Sequence, residues 1–247
     1  MTDSLDRWSA HAPDSIDWDG RGHACQACFV QISDGRPVAA SEPEKENHAL
    51  PPQIKPIPRR GEAEFAGRRH WVGVEDGYLV GFDAGEFGGS TWWFSADGAH
   101  RRKLSLPGAD QFPENVHGFA SLGKDVLAFE GLVHMGFNVG RVMRIRRGAD
   151  REWRPSRFVD LGACPLAIIQ ESESAWLAAS TSGILRIDGQ ARVNPVWLSP
   201  GGHGFYPNSL VRDEAGVVYM GIGGSVVRLT PERDDTYAVH LLTPPAK

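Results

Sequence analysis

The tripeptide His-Gly-Phe occurs twice, as His117-Gly118-Phe119 and His203-Gly204-Phe205. Acidic residues stand in two glycine-rich segments: Asp83 and Glu86 in FDAGEFGG, and Glu130 with His134 in FEGLVHMGFNVG. Tyr206 and Asn208 follow the second His-Gly-Phe closely. Imidazoles beside carboxylates can do two kinds of chemistry. They can ligate a divalent cation, for which His117, Glu130, His134 and His203 are the candidate set, or they can pair as general acid and base. The plainer account is structural. Each histidine then caps a turn, each phenylalanine packs between neighbouring units, and the carboxylates solvate turns.

Other reactive residues point to less. The run HACQAC brings Cys25 and Cys28 together, but a zinc site generally needs four ligands and no second CxxC follows. If residues 24–32 form a strand, positions three apart face opposite sides, so the two sulfurs part company and read as core or edge thiols. The three cysteines, the third being Cys164, offer no persuasive Cys–His nucleophile. GxGxxG, P-loop, GxSxG and HExxH motifs are absent. No strong local signature indicates catalysis.

The elements that would position these residues announce themselves by repetition. VMRI, ILRI and VVRL begin at residues 142, 184 and 226, a constant spacing of 42. Each follows a pair of short apolar runs separated by turn residues, and each precedes a fourth alternating run. A weaker copy covers Trp71 to Phe94, where Phe94 sits near the arginine's place. Helical periodicity is nearly absent. Four short strands per unit, recurring every 40 to 45 residues, is the mark of a β-propeller blade.

The expected fold is therefore all-β, a small propeller of five blades at about 24–66, 67–108, 116–162, 164–199 and 206–243, with residues 1–23 as an N-terminal extension. The alternative is four blades with a longer extension packed on the ring. Within the first unit, Cys28–Ser33 and Arg36–Ala40 read as a hairpin around Asp34-Gly35. Ser41 to Asn47 and Leu50 to Pro58 read as a long exposed loop.

Segments such as SLVRDEAGVVYMGIGGSVVRL and IIQESESAWLAASTSGILRI resemble the repeats of two-component-regulator-type propellers. Their common pattern is an acidic-Gly turn, an aromatic strand, a glycine, then Gly-aliphatic-aliphatic-Arg-aliphatic. The likeness covers the C-terminal half well and residues 67–162 loosely. The pattern's Trp appears as Trp176, with Tyr219 in its place in the last unit. The resemblance implies a fold and little about activity, since propellers host unrelated functions.

On a propeller, the turn from strand two to strand three and the connection to the next blade open on one face. Asp83, Glu86, His117, Glu130, His134, His203, Tyr206 and Asn208 would all gather there, on loops a rigid ring holds in place. Basic residues at Arg101-Arg102-Lys103 and from Arg141 to Arg157 fall on outer strands, where charge guards against edge pairing. Trp92-Trp93-Phe94 places aromatics on both faces of one strand, and one or two would fill the contact between blades.

Composition narrows the role. The chain has 247 residues, 41% hydrophobic and 23% charged, with a formal charge of −5. That balance speaks against general nucleic-acid binding, and no apolar run suits a membrane helix. The polar, acidic start lacks the form of a secretion signal, so the expected compartment is the cytoplasm, or the periplasm if a signal peptide has been removed. The leading expectation is a non-enzymatic binding protein offering its loop face to a protein partner, with an inhibitor or toxin-immunity protein as one version. No cofactor is expected on this reading. The alternative is a metal-dependent hydrolase or lyase acting on a small molecule, in the manner of gluconolactonase-like propellers, with a divalent cation as cofactor.

Overall fold

Alternating apolar runs broken by turn residues fold here as antiparallel strands, because each run can bury one face and leave its ends in tight turns. The computed structural model of the protein describes residues 2–12, 28–41, 50–54, 65–106, 114–199, 205–233 and 236–245. Among these residues the architecture is all-β and propeller-like, with five separate antiparallel sheets.

The first sheet has three strands, β1 (Thr2–Ser4), β3 (Phe29–Ser33) and β4 (Arg36–Ala40), in the order β1-β4-β3. The second is a four-strand meander of β5 (Arg68–Val74), β6 (Gly77–Asp83), β7 (Gly89–Ser95) and β8 (Arg101–Lys103). The third comprises β9 (Val116–Leu122), β10 (Asp125–His134), β11 (Phe137–Arg147) and β12 (Trp153–Asp160). The fourth comprises β13 (Pro165–Ser172), β14 (Ala175–Ser180), β15 (Gly183–Asp188) and β16 (Val193–Leu198). The fifth runs β17 (Pro207–Arg212), β18 (Val218–Ile222), β19 (Ser225–Pro231) and β20 (Tyr237–Thr243), then adds β2 (Ser9–His11) at its outer edge. The first strands of successive sheets adjoin in the order β5, β9, β13, β17, and β17 adjoins β3.

Cores lie between sheets, and the period of two along each strand decides which neighbour a side chain meets. In β10, Val126 and Ala128 pack toward the second sheet with Leu79 and Met143, while Leu127 and Phe129 pack toward the fourth with Trp176 and Ala178. In β14, Trp176 faces the third sheet and Leu177 the fifth. Val227 and Leu229 face the fourth sheet, and Val226 faces the first with Leu5, Val30 and Ala39. Each such buried aliphatic contributes about 1.5–3 kcal/mol.

The recurring arginines share one register. Arg144 lies opposite Leu127, Arg186 opposite Leu177, and Arg228 opposite Tyr219. Arg144 pairs with Asp125, and Arg186 makes a bidentate contact with Glu171 at 2.7 Å on each arm. Both carboxylates come from the arginine's own sheet.

Several expectations need correction. Within the expected N-terminal extension 1–23, residues 2–11 add strands to two sheets, since β1 covers the outer edge of β4 and β2 covers that of β20. Open sheet edges present unpaired backbone groups, and three-residue strands that cover them leave no periodicity to read. The first hairpin stands as expected, with Asp34 and Gly35 at φ 50° and 72° in a primed turn. Ile54, expected in an exposed loop, is instead buried with Phe65 against Val80, Phe82 and Phe94. Tyr219 does not replace Trp176. Trp176 pairs with Ile187, while Tyr219 pairs with Arg228, so the two point to opposite sides of their sheets.

The basic outer rim is also less solvated than expected. Arg141 is almost fully buried. Arg147 reaches the second sheet to contact Glu75 at 2.9 Å and Asp76 at 2.8 Å. Asp76 also accepts hydrogen bonds from the indoles of Trp93 at 3.1 Å and Trp153 at 2.9 Å. Trp93 fills the contact between the second and third sheets, and Trp92 and Phe94 occupy the other face. Among the described residues no helix is long and apolar enough to cross a membrane.

Candidate functional site

Among the described residues the loop face is built by the turns at Ala84–Gly88 and Met135-Gly136, the turn before Gly183, and the residues just ahead of β9, β13 and β17. Asp83 ends β6 and caps its turn, its Oδ1 accepting from the Gly85 amide at 2.9 Å. Its Oδ2 lies 3.5 Å from Nδ1 of His117. His117 occupies a bulge: pairing jumps from Phe129–Gly118 to Glu130–Val116, leaving the histidine without a ladder partner. A bulge re-aims the side chain it carries. Here the ring turns so that Nε2 sits 3.2 Å from the Gly131 carbonyl oxygen and 3.3 Å from Sγ of Cys164.

Cys164 reaches this position because two glycines clear its path. A Cβ on Gly131 would stand 2.9 Å from Sγ, and one on Gly140 would stand 1.9 Å from the Ala163 carbonyl oxygen. Asn138 then fixes the loop, its Oδ1 accepting from the Cys164 amide at 2.9 Å and from the Thr181 hydroxyl at 2.8 Å. Asp83, His117 and Cys164 thus belong to three successive sheets and meet in a line. The chain offered no persuasive Cys–His nucleophile, and the structure adds a Cys164–His117 contact that the sequence did not show. The 47 residues between the two leave no local signal of the contact.

Orienter, imidazole and thiol in this order are the parts of a nucleophile relay. The electrostatics hold it inert. Burial, then the negative charge of Asp83, pushes the Cys164 thiol up to about 12. Burial lowers His117 most; Asp83 and the Gly131 carbonyl pull it back up, and Arg68 lowers it further. The ring is neutral and the sulfur protonated at pH 7. Cys164 is fully buried, and such thiols are unreactive. The line of three acts as a tie across the top of three sheets.

The remaining predicted residues fall into separate pairs. His134 Nε2 contacts Glu86 Oε2 at 2.7 Å on the surface, joining the turn after β6 to the turn after β10. Glu130 points inward, where its Oε2 accepts from Arg141 Nε at 2.9 Å, both side chains under a tenth exposed. Among the described residues no three His, Cys, Asp or Glu side chains are grouped to hold a metal ion. His117, Glu130 and His134 are not brought together, since each carries its own partner. Asn208 sits beside Ser209, whose hydroxyl also receives the Val30 amide at 2.8 Å and so ties the fifth sheet to the first. Tyr206 is exposed. His203 and Cys25 lie outside the described residues, and Cys28 is a buried core thiol.

The same face carries exposed apolar side chains. Phe87 is 76% exposed and Met135 92%. Phe137, Leu198 and Tyr206 are also exposed. Phe87 and Met135 lie in strand-two-to-three turns and Phe137 opens β11. Leu198 ends β16 opposite Gly183, and Tyr206 precedes β17. Met135 holds φ 45°, a left-handed conformation that side chains other than Asn, Asp or Gly rarely adopt.

No protein-family model and no curated protein sequence matches the chain. Solved structures do resemble it. A Bacteroides thetaiotaomicron protein of unknown function aligns at 14% identity and TM-score 0.47, over 71% of this chain and 43% of its own. A gluconolactonase from Xanthomonas campestris aligns at 15% identity and TM-score 0.42, over 68% and 59%. The extracellular domain of a one component system from B. thetaiotaomicron aligns at 10% identity and TM-score 0.33, over 69% and 30%. The chain spans less than two thirds of each of these structures. Its propeller-like architecture is established by its own five sheets.

Proposed function

We propose that this chain is a non-enzymatic binding protein that presents its loop face to a protein partner. One observation carries the reading. Five of the six large apolar side chains exposed among the described residues, Phe87, Met135, Phe137, Leu198 and Tyr206, lie on that face. Trp71, the sixth, lies within β5. Isolated exposed apolar residues need no explanation, but their concentration on one face marks an interaction surface. The Glu86–His134 pair joins the turns bearing Phe87 and Met135, so these two side chains and Phe137 come from adjoining turns. Met135 supports the same conclusion, since a long side chain kept in a strained turn position and exposed to water earns its place by contact. An inhibitor covering another protein's working surface is one form of this role.

The test is recovery of a stoichiometric partner from the native host, comparing wild type with Phe87→Asp, Met135→Asp and Phe137→Asp. Lys124→Glu serves as control, because Lys124 is in the turn joining β9 to β10 at the opposite end of the sheet. Loss of the partner in the three face variants, with retention in the control, is the expected result. A partner retained by all three would place the interface elsewhere.

A further inference from the structure

Three sheets carry an arginine at the same register, and only two of those arginines hold a carboxylate. Arg144 has Asp125, and Arg186 has Glu171. Arg228 makes no hydrogen bond or ion pair among the described residues, and its Nε is buried without a partner. The cause lies one strand away. Register places Asp213 where Glu171 stands in the fourth sheet, since Arg212 pairs with Val218 as Gln170 pairs with Trp176. In the fifth sheet, however, the residue opposite the arginine is Tyr219, where the other sheets have Leu127 and Leu177. The Tyr219 hydroxyl contacts Asp213 Oδ2 at 3.3 Å, and Asp213 Oδ1 accepts the Val217 amide at 2.9 Å. The tyrosine takes the carboxylate that would have served Arg228.

A second orphan stands beside the first. His240 is the cross-strand neighbour of Arg228, and its Nδ1 is likewise buried without a hydrogen bond. Directly opposed residues hold their Cβ atoms about 5 Å apart, so Tyr219, Arg228 and His240 form one lateral row on the side of the sheet turned toward the first. Burial, then Asp213, raises the Tyr219 phenol to about 12, and the charge of Arg228 opposes that rise. Asp6, the other carboxylate felt by Tyr219, takes a hydrogen bond from Ser4 at 3.1 Å and makes no ion pair with Arg228. Arg228 and His240 are both partly exposed as residues, and of their side-chain nitrogens only Nε and Nδ1 are buried without a partner, so an incoming group meets the outer nitrogens first.

We propose that Arg228 and His240 form a binding site for a carboxylate supplied from outside the chain. The incoming group takes the place that Asp125 and Glu171 fill beside the sister arginines. A guanidinium fork matches a carboxylate and a buried Nε gains a charge-assisted bond. This site is independent of the loop face.

The experiment is an NMR titration of the whole protein with sodium acetate at constant ionic strength, following the Arg228 Nε–H and His240 ring signals. Wild type should give saturable shifts with a Kd in the millimolar range, as a single charge-assisted contact allows. Arg228→Gln should abolish saturation. Tyr219→Phe frees Asp213 to pair with Arg228 and should weaken acetate binding by about tenfold or more. Should Arg228→Gln fail to fold, the conservative Tyr219→Phe variant decides alone. Equal shifts from sodium chloride, or acetate binding unchanged in Tyr219→Phe, would overturn the assignment.

Discussion

Cys164 Sγ lies 3.3 Å from Nε2 of His117, and the far side of that imidazole faces Asp83 at 3.5 Å. One ring therefore joins side chains from three successive sheets. A neutral ring carries a single N–H, so it donates to one of these groups only, and such a bond contributes about 0.5–1.5 kcal/mol.

Acid should loosen this tie. The His117 pKa is lowered in the fold, chiefly by burial. Below the ordinary value near 6.5, the unfolded chain binds a proton that the folded ring refuses, so stability falls as pH drops toward the folded pKa. Urea unfolding between pH 7.5 and pH 5 should show a slope of up to about 1.4 kcal/mol per pH unit from this group. His117→Gln should lose that component; identical slopes in variant and wild type would mean the ring is not held neutral.

Alkali should act through Cys164 in the opposite sense. Its thiol is raised from 9.0 to about 12, mainly by burial. The stabilisation is complete below pH 9 and is lost as pH rises toward 12, because only the unfolded chain ionises in that window. At pH 8 the native protein should resist iodoacetamide at Cys164 and react there once unfolded in urea. Rapid alkylation in the native state would refute the inert-thiol account.

Glu130 and Glu86 should respond very differently to the same substitution. Glu130→Ala leaves Arg141 charged and buried, and should cost about 3–5 kcal/mol in chemical unfolding. Glu86→Ala breaks a pair whose side chains are 44% and 41% exposed, and should cost about 1 kcal/mol or less. Equal losses would contradict the inward placement of Glu130.

Met135→Asn separates stability from binding. Asparagine suits the left-handed position that methionine strains, so the variant should gain about 0.5–1 kcal/mol. It should also bind the loop-face partner more weakly. A variant that gains stability and keeps full affinity would remove Met135 from the interface.

Chelation provides a separate check on the imidazoles. His117 and His134 are each taken by a carboxylate, so EDTA or added zinc should leave the melting temperature unchanged. A zinc-dependent rise that disappears in His203→Ala would bring a metal back to this face.

Much of the ring was legible in the residues alone. The constant spacing of VMRI, ILRI and VVRL marks β11, β15 and β19, and the period of two accounts for Val227 and Leu229 lying on one side and Val226 on the other. The Asp34-Gly35 turn was equally readable, because a primed turn demands particular residues. These features are local. Each depends on neighbours within a few positions, where period and turn chemistry leave their mark.

The candidate site was legible only in parts. Asp83, His117, Glu86 and His134 stand out as single residues, yet no spacing matches one to another. Cys164 does not stand out, because nothing near it in the chain hints at His117. Glu130 and Arg141 looked like loop and rim, but a bulge at His117 and their place in β10 and β11 turn them inward.

The repeating strands from β5 to β20 and their order are therefore written in the chain, because these follow from alternation and turns. The tertiary structure alone decided which sheets share a side chain. It set Asp83, His117 and Cys164 in line, stitched β1 and β2 to two different sheets, and left Arg228 without the carboxylate its sisters hold. Those outcomes depend on a bulge, on missing Cβ atoms at Gly131 and Gly140, and on one tyrosine hydroxyl. Their consequences are felt across sheet boundaries, where sequence distance carries no information about spatial distance.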